Sequence, residues 1–214
     1  PAQDLAEIIS WIPKSPTCEI TIEANPDDVT HELISYLAEA GVNRLSIGVQ
    51  SLAPDSLIQI GRTHTANRAV EAIKTAYQAG IENITIDLMY DLPGQTLESF
   101  QKTLDQLDSL PISHLSLYNL VIEPNSAFYR KKERIEGVMP QDEESLALLE
   151  AALSKLKEIG LKRYEISAFA KPGYESRHNS RYWKGGEFYG LVPSAFSYIG
   201  GSRFQNAANF KTYC

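Results

Sequence analysis

The sequence predicts an α/β fold in which a parallel sheet is covered by helices. Three observations predict it. First, one pattern recurs, as Glu39-Ala-Gly-Val-Asn-Arg-Leu-Ser-Ile, Gln78-Ala-Gly-Ile-Glu-Asn-Ile-Thr-Ile and Glu158-Ile-Gly-Leu-Lys-Arg-Tyr-Glu-Ile. Each copy reads as a helix end, a glycine suited to the left-handed position after the helix, and a short strand. The interval is about 40 residues or twice that, the size of a βα unit. Second, apolar residues recur at helical spacing between these strands. The stripes are Leu33, Ile34, Leu37 and Ala38; Ala69, Val70, Ile73, Ala76 and Tyr77; Leu97, Phe100, Leu104 and Leu107; and Leu146, Leu149, Leu153, Leu156 and Ile159. Third, short runs at 19–23, 44–48, 83–89, 114–119 and 163–168 are β-rich and mostly apolar, as parallel strands covered on both faces are.

The elements follow in order. Pro13 and Pro16 break the chain before the first strand. Asn25-Pro26-Asp27-Asp28 makes a turn, and Thr30 is placed to cap the helix whose stripe begins at Leu33. The stretch Asn83 to Thr96 says most about function. Its apolar run, Ile84 to Met89, holds one acid, Asp87; a turn follows at Leu92-Pro93-Gly94 and a helix starts at Thr96. A buried strand has no reason of its own to carry a carboxylate, whereas a strand that ends at a site does. Gly173 to Gly201, rich in glycine and aromatic residues, reads as a loop-rich closing element at the C-terminal end. No linker interrupts the pattern, so residues 1–214 read as a single domain. The chain lacks an initiator Met and stops at Cys214, and reads as truncated at the N-terminus, with 173–214 leading into a further C-terminal region.

Composition narrows the function classes. With 214 residues, 43% of them hydrophobic and 22% charged, the chain has the make-up of a globular domain with a sizeable core. A net charge of −7 argues against nucleic acid and anionic membranes as partners. No apolar run reaches the length of a transmembrane helix, and the first residues do not form a signal peptide, so a cytoplasmic location is expected. Cys18 and Cys214 make neither a disulfide framework nor a metal site on their own.

In parallel βα folds the site lies at the C-terminal ends of the strands. Those ends carry Glu23 and Asn25, then Gln50 and Ser51, then Asp87 and Tyr90, then Tyr118 and Asn119, and finally Glu165 and Ser167. Singly, each has an ordinary structural use. Together, with Arg62 in Gly61-Arg62-Thr63-His64, they predict a ligand site. Carboxylates accept from ribose hydroxyls and amines, and an arginine pairs a carboxylate. There is no Ser-His-Asp order, no HExxH and no phosphate-binding glycine loop.

The strings Glu23-Ala-Asn-Pro, Asn43-Arg-Leu-Ser-Ile-Gly-Val-Gln-Ser, Gly61-Arg and Asp87-Leu-Met-Tyr-Asp-Leu-Pro-Gly-Gln-Thr resemble the radical S-adenosylmethionine (SAM) enzymes related to oxygen-independent coproporphyrinogen III oxidase. The resemblance runs from about Glu19 to Asn206. It implies a partial (β/α)6 TIM-like barrel with SAM and a [4Fe–4S] cluster at its mouth. It further implies SAM contacts from Glu23, Gln50, Arg62 and Asp87, and from Val121 and Phe196 where the oxidase lines its SAM pockets. His178-Asn179-Ser180-Arg181-Tyr182-Trp183 resembles the H-N-x-x-Y-W motif of the haem-chaperone branch, where the oxidase has Gly-Tyr in place of Tyr-Trp. On that resemblance His178, Asn179, Tyr182 and Trp183 bind haem, and haem-accepting proteins are the partners.

Three departures stand out. The cluster-binding C-x3-C-x2-C is absent, Asp91 stands where the family commonly has glycine, and Val192 stands at another expected glycine, near Phe196. Three functions are therefore expected in order. The first is haem binding and transfer. The second is radical oxidative decarboxylation of coproporphyrinogen III. The third is non-radical acid/base catalysis by Glu23 and Asp87.

Overall fold

The computed structural model describes residues 2–124, 126 and 128–214. The chain forms two compact units, the first ending at Glu175 and the second spanning Ser176–Cys214. The first unit opens with α1 (Ala2–Trp11), β1 (Thr21–Ala24), a 3₁₀ turn at Pro26–Asp28, α2 (His31–Glu39) and β2 (Arg44–Gln50). It continues with α3 (Pro54–Gln59), α4 (Ala66–Gln78), β3 (Ile84–Tyr90), α5 (Leu97–Gln106) and β4 (His114–Asn119). It closes with α6 (Lys132–Glu136), α7 (Asp142–Glu158), β5 (Lys162–Arg163) and β6 (Ala168–Ala170). Pro13 and Pro16 fall in the break between α1, which ends at Trp11, and β1.

The helix boundaries follow local chemistry. Thr30, Thr65 and Thr96 each accept a hydrogen bond from a backbone N–H in the first turn of α2, α4 and α5, and Thr96 does so reciprocally with Ser99. Gly41, Gly80 and Gly160 follow α2, α4 and α7 with φ of +103°, +95° and +80°, the left-handed stops that the repeat predicts. The stripe on α7 falls largely as expected, with Leu156 buried and Leu149, Leu153 and Ile159 packed partly buried against the core. Leu148, Ala152, Lys155 and Leu156 are buried, while Leu146 faces solvent. A lysine occupies a buried position because its ammonium reaches Asp108 at 2.7 Å, its stem packing as hydrocarbon.

The strands run in the order β1-β2-β3-β4-β6-β5, with β1 to β4 parallel. The expected fifth strand, 163–168, is a correction. Only Lys162–Arg163 continues upward; the chain then turns and β6 returns antiparallel between β4 and β5. The hairpin inserts because Leu117 N–H finds Ser167 O at 2.7 Å, so the edge of β4 is satisfied by the return strand.

A second correction concerns the faces. The strands are not apolar on both sides; they alternate. Leu45, Ile47, Ile84, Ile86, Leu88, Leu115 and Leu117 are buried in the main core with the helices. The opposite row is polar, with Glu23 beside Ser46, Ser46 beside Thr85, Thr85 beside His114 and Asp87 beside Ser116. Strand side chains alternate with a period of two, so one residue type per row suffices to make one core face and one site face. In that polar row His114 is fully buried, its Nδ1 2.5 Å from Thr85 Oγ1 and its Nε2 2.8 Å from the Tyr164 hydroxyl.

The second unit holds α8 (Arg177–Trp183), the antiparallel ribbon β7 (Phe196–Ile199) and β8 (Ser202–Gln205), and α9 (Phe210–Tyr213). The stretch expected to be loop-rich thus carries a helix and a hairpin. At Gly190 a Cβ would lie 2.0 Å from Phe196 O, so no side chain fits there. Val192 has φ of +77°, the conformation of the glycine expected at that place. Asn206 Nδ2 holds it by donating to Gly190 O and Val192 O at 3.0 and 2.9 Å.

Burial pushes the His114 imidazole down to about 3, helped by the Arg44 charge nearby. The folded value lies below the unfolded one, so the unfolded chain takes up a proton that the folded chain refuses. The stability His114 contributes is therefore present above about pH 6.5 and is lost as pH falls toward 3. We expect His114→Asn to lose about 2 kcal/mol less stability than the wild type between pH 7 and 5. Urea unfolding at both pH values checks this; equal losses would exclude a buried neutral His114.

Candidate functional site

The C-terminal ends of β1, β2 and β3 meet in a cavity of about 300 Å³ lined by Glu23, Ala24, Asn25, Asp28, Ser46, Gly48, Gln50, Arg62 and Asp87. Four residues expected to contact one ligand, Glu23, Gln50, Arg62 and Asp87, therefore share one space. Val121 lies beyond β4, exposed, and is not among the lining residues; Phe196 belongs to the second unit, on β7, with the Arg203 guanidinium 4.4 Å from its ring centre. Glu165 sits in the turn between β5 and β6, where its carboxylate accepts from Ser167 N–H and Oγ at 3.2 Å.

A β-bulge shapes the cavity wall. Ile47 pairs Ile86, but Gln50 pairs Leu88, so Gly48 and Val49 together lie opposite the single residue Asp87. The extra residue turns Gln50 into the left-handed region, φ +64°, and its side chain into the cavity. Arg62 reaches across from the loop after α3 and donates from Nη2 to Gly48 O at 3.0 Å. Its Nε is buried with no hydrogen-bond partner. Gly48 is glycine because both side chains crowd its Cα: an added Cβ would lie 2.9 Å from Arg62 Nη2 and 3.1 Å from Gln50 Nε2.

The electrostatics suit a polar ligand. Burial raises the Asp87 carboxyl above the ordinary carboxylate value; the Ser116 hydroxyl opposes that, Glu23 adds to it, and Arg44 and Arg62 oppose it. Burial also lowers the Arg44 guanidinium, while Glu19, Tyr164, Asp87 and Glu23 hold its charge. Two carboxylates thus share the cavity with the Arg62 guanidinium, and the Arg44 guanidinium acts on them from outside its lining. An orphaned buried Arg62 N–H beside a destabilised Asp87 leaves donor and acceptor capacity that a ligand with amine, carboxylate and hydroxyl groups would satisfy. Sequence reasoning missed Ser46, Gly48 and Asp28. The polar or small residues alternating along Arg44-Leu-Ser-Ile-Gly-Val-Gln were the signal for the first two.

Asp91 follows β3 with φ of +58°. It accepts hydrogen bonds from Asn119 Nδ2 and, at 2.6 Å, from Ser145 Oγ. An aspartate tolerates this left-handed position, and the two bonds tie the end of β4 and the first turns of α7 to the turn after β3.

On α8, His178 and Tyr182 lie one turn apart with ring centres 5.1 Å apart. Tyr182 stacks on Phe188 at 4.1 Å, and Phe188 lies 6.4 Å from Tyr198. Trp183 is exposed, and Asn179 N–H is fixed by the Ser176 cap at 3.2 Å.

Residues 2–107 match the family model of the radical SAM superfamily. The chain belongs to that superfamily. It is 41% identical to the heme chaperone HemW of Bacillus subtilis over 94% of its own length and 53% of that protein's. It is 37% identical to the heme chaperone HemW of Lactococcus lactis over 96% of its length and 55% of that protein's. The fold matches the radical SAM enzyme coproporphyrinogen III oxidase (HemN) of Escherichia coli with a TM-score of 0.84 at 23% identity, covering 99% of this chain and 52% of the other. The chain thus spans about half the length of the relatives it matches. The superfamily implies SAM and a [4Fe–4S] cluster as cofactors. The cavity residues fit SAM. Cys18 and Cys214 do not fit the cluster, which needs more thiolates than this chain holds. Among the described residues no helix is long and apolar enough to cross a membrane.

Gly48→Ala tests the cavity without touching the core. The atoms that must move are the tips of Arg62 and Gln50. Thermal unfolding should therefore shift little, by about 1 kcal/mol or less. Calorimetric SAM affinity should fall about tenfold. Unchanged affinity would remove Gly48 from the wall of a SAM site.

Proposed function

We propose that this chain is the core of a radical SAM haem chaperone, which holds SAM in the strand-end cavity, binds haem through the second unit and passes it to haem-requiring proteins in the cytoplasm. The observation that carries the reading is the cavity that collects Glu23, Gln50, Arg62 and Asp87, on a chain 41% identical to a heme chaperone. In it, Asp87 and Glu23 accept from the ribose hydroxyls or the ammonium of SAM, and Arg62 pairs its carboxylate. When bound with its cluster, SAM supplies one-electron chemistry; the residues here bind and orient it. His178 offers an imidazole to haem iron, and Tyr182 and Trp183 offer aromatic surface to the porphyrin, with Asn179 between them. The second reading is the oxidase, which the fold match to coproporphyrinogen III oxidase favours. Carboxylate acid/base catalysis by Glu23 and Asp87 is a weaker third.

Asp87→Asn removes a buried charge that burial already disfavours. We expect the unliganded protein to melt at a higher temperature and SAM to bind about ten- to a hundredfold more weakly by calorimetry. Wild-type affinity would exclude Asp87 from the contact. For haem, the complete protein should develop a Soret band on titration, and His178→Ala should shift that band and raise the dissociation constant. An unchanged titration would remove His178 from the haem site. Conversion of coproporphyrinogen III under anaerobic conditions by the reconstituted complete protein would replace the chaperone reading with the oxidase.

A further inference from the structure

The bulge in β2 exposes two successive carbonyls, Gly48 O and Val49 O, opposite a single β3 residue. Bulged residues leave the ladder, so their polar groups need other partners. Both find them in one short loop. Arg62 Nη2 donates to Gly48 O at 3.0 Å, and His64 Nε2 lies 3.1 Å from Val49 O. A carbonyl only accepts, so His64 carries its proton on Nε2. The same loop grips a third element, because Thr63 Oγ1 donates to Asp27 Oδ2 at 3.0 Å in the turn after β1. Thr65 then caps α4. Four consecutive side chains, Arg62 to Thr65, thus each make a different tertiary or capping bond. His64 is 5% exposed, too deep to touch a ligand from solvent. Burial also lowers its basicity, so it stays a neutral donor.

We propose that His64 is a positioning residue: its bond to Val49 O locks the bulge, and the locked bulge holds Gln50 in the left-handed conformation that aims it into the SAM cavity. The bulge needs such a lock. A non-glycine residue at φ +64° costs free energy, and besides His64 Val49 O accepts from the local N–H of Ser51, at 2.8 Å, a bond within the bulge itself that ties it to nothing else. Without the imidazole the strand can relax toward regular pairing with β3, which would swing Gln50 out of the cavity. Arg62 cannot substitute, because it holds the neighbouring carbonyl. The two side chains therefore have separate roles. Arg62 acts at the cavity wall, while His64 acts from behind it.

This role rests on the SAM reading for its effect on binding, but its effect on the bulge does not. The test uses the complete protein with His64→Leu, which keeps the volume but not the donor, and His64→Gln, whose amide nitrogen can reach the same carbonyl. Amide hydrogen exchange on unliganded protein should show the Gln50–Leu52 segment exchanging about tenfold faster in His64→Leu and near the wild-type rate in His64→Gln. Calorimetry should show SAM bound about tenfold more weakly by His64→Leu, with recovery in His64→Gln. Adding His64→Leu to Gln50→Ala should cost no further affinity, because the histidine acts through the glutamine. Additive losses, or failure of His64→Gln to recover, would make His64 a general packing residue and overturn the proposal. If wild-type protein binds no SAM, the SAM reading fails, and the exchange experiment alone decides the lock: bulge exchange unchanged in His64→Leu would overturn it.

Discussion

A carboxylate set into one face of a sheet needs positive charge within reach, and here a half-buried Asp87 stands near an exposed Glu23. Glu23 and Asp87 stand in the polar row, and burial opposes the ionised form of Asp87. Arg44 suffers the complementary penalty on the same face. Each offsets part of the other's desolvation, and Arg62 completes the set from outside the sheet. The site face of the first unit depends on this balance. The helices supply a separate apolar core on the far side of the strands, so stability does not rest on the charged row, and the row is left for a ligand.

Backbone strain falls at the same rim. In the first unit, among the described residues, the non-glycine positions with positive φ are Gln50 and Asp91, at the end of β2 and just after β3. Each is held by side chains from elsewhere in the chain. The bulge before Gln50 is gripped by Arg62 and His64, and Asp91 by Asn119 and Ser145. Strain maintained by several distant partners is characteristic of a site, because the fold gains nothing from it locally. The second unit has its own version, with Val192 pinned by Asn206 and an aromatic series running from His178 to Tyr198.

Much of this was legible without coordinates. Gly41, Gly80 and Gly160 announced three helix stops, Thr30 and Thr96 two helix starts, and Asp87 a site at the end of a strand, because these depend on local sterics and on hydrogen bonds within a few residues. The motif strings identified the superfamily. The β5–β6 hairpin was not legible, because whether Ala168–Ala170 returns beside β4 depends on an edge of β4 that the local sequence does not describe. The burial of Lys155 on α7 was not legible for a related reason: a lysine reads as solvent-facing until Asp108 is placed beside it.

The sequence by itself determined which residue types the site would have and which strands would carry them, since a period of two separates leucine and isoleucine from serine, threonine and aspartate along each strand. Only the tertiary structure decided how those residues act on one another. A bulge adds one residue to β2 opposite Asp87, and the bonds that keep it come from Arg62 and His64 on a loop that is distant in sequence. Pairing register and carbonyl satisfaction are properties of two segments together, so neither segment alone encodes them.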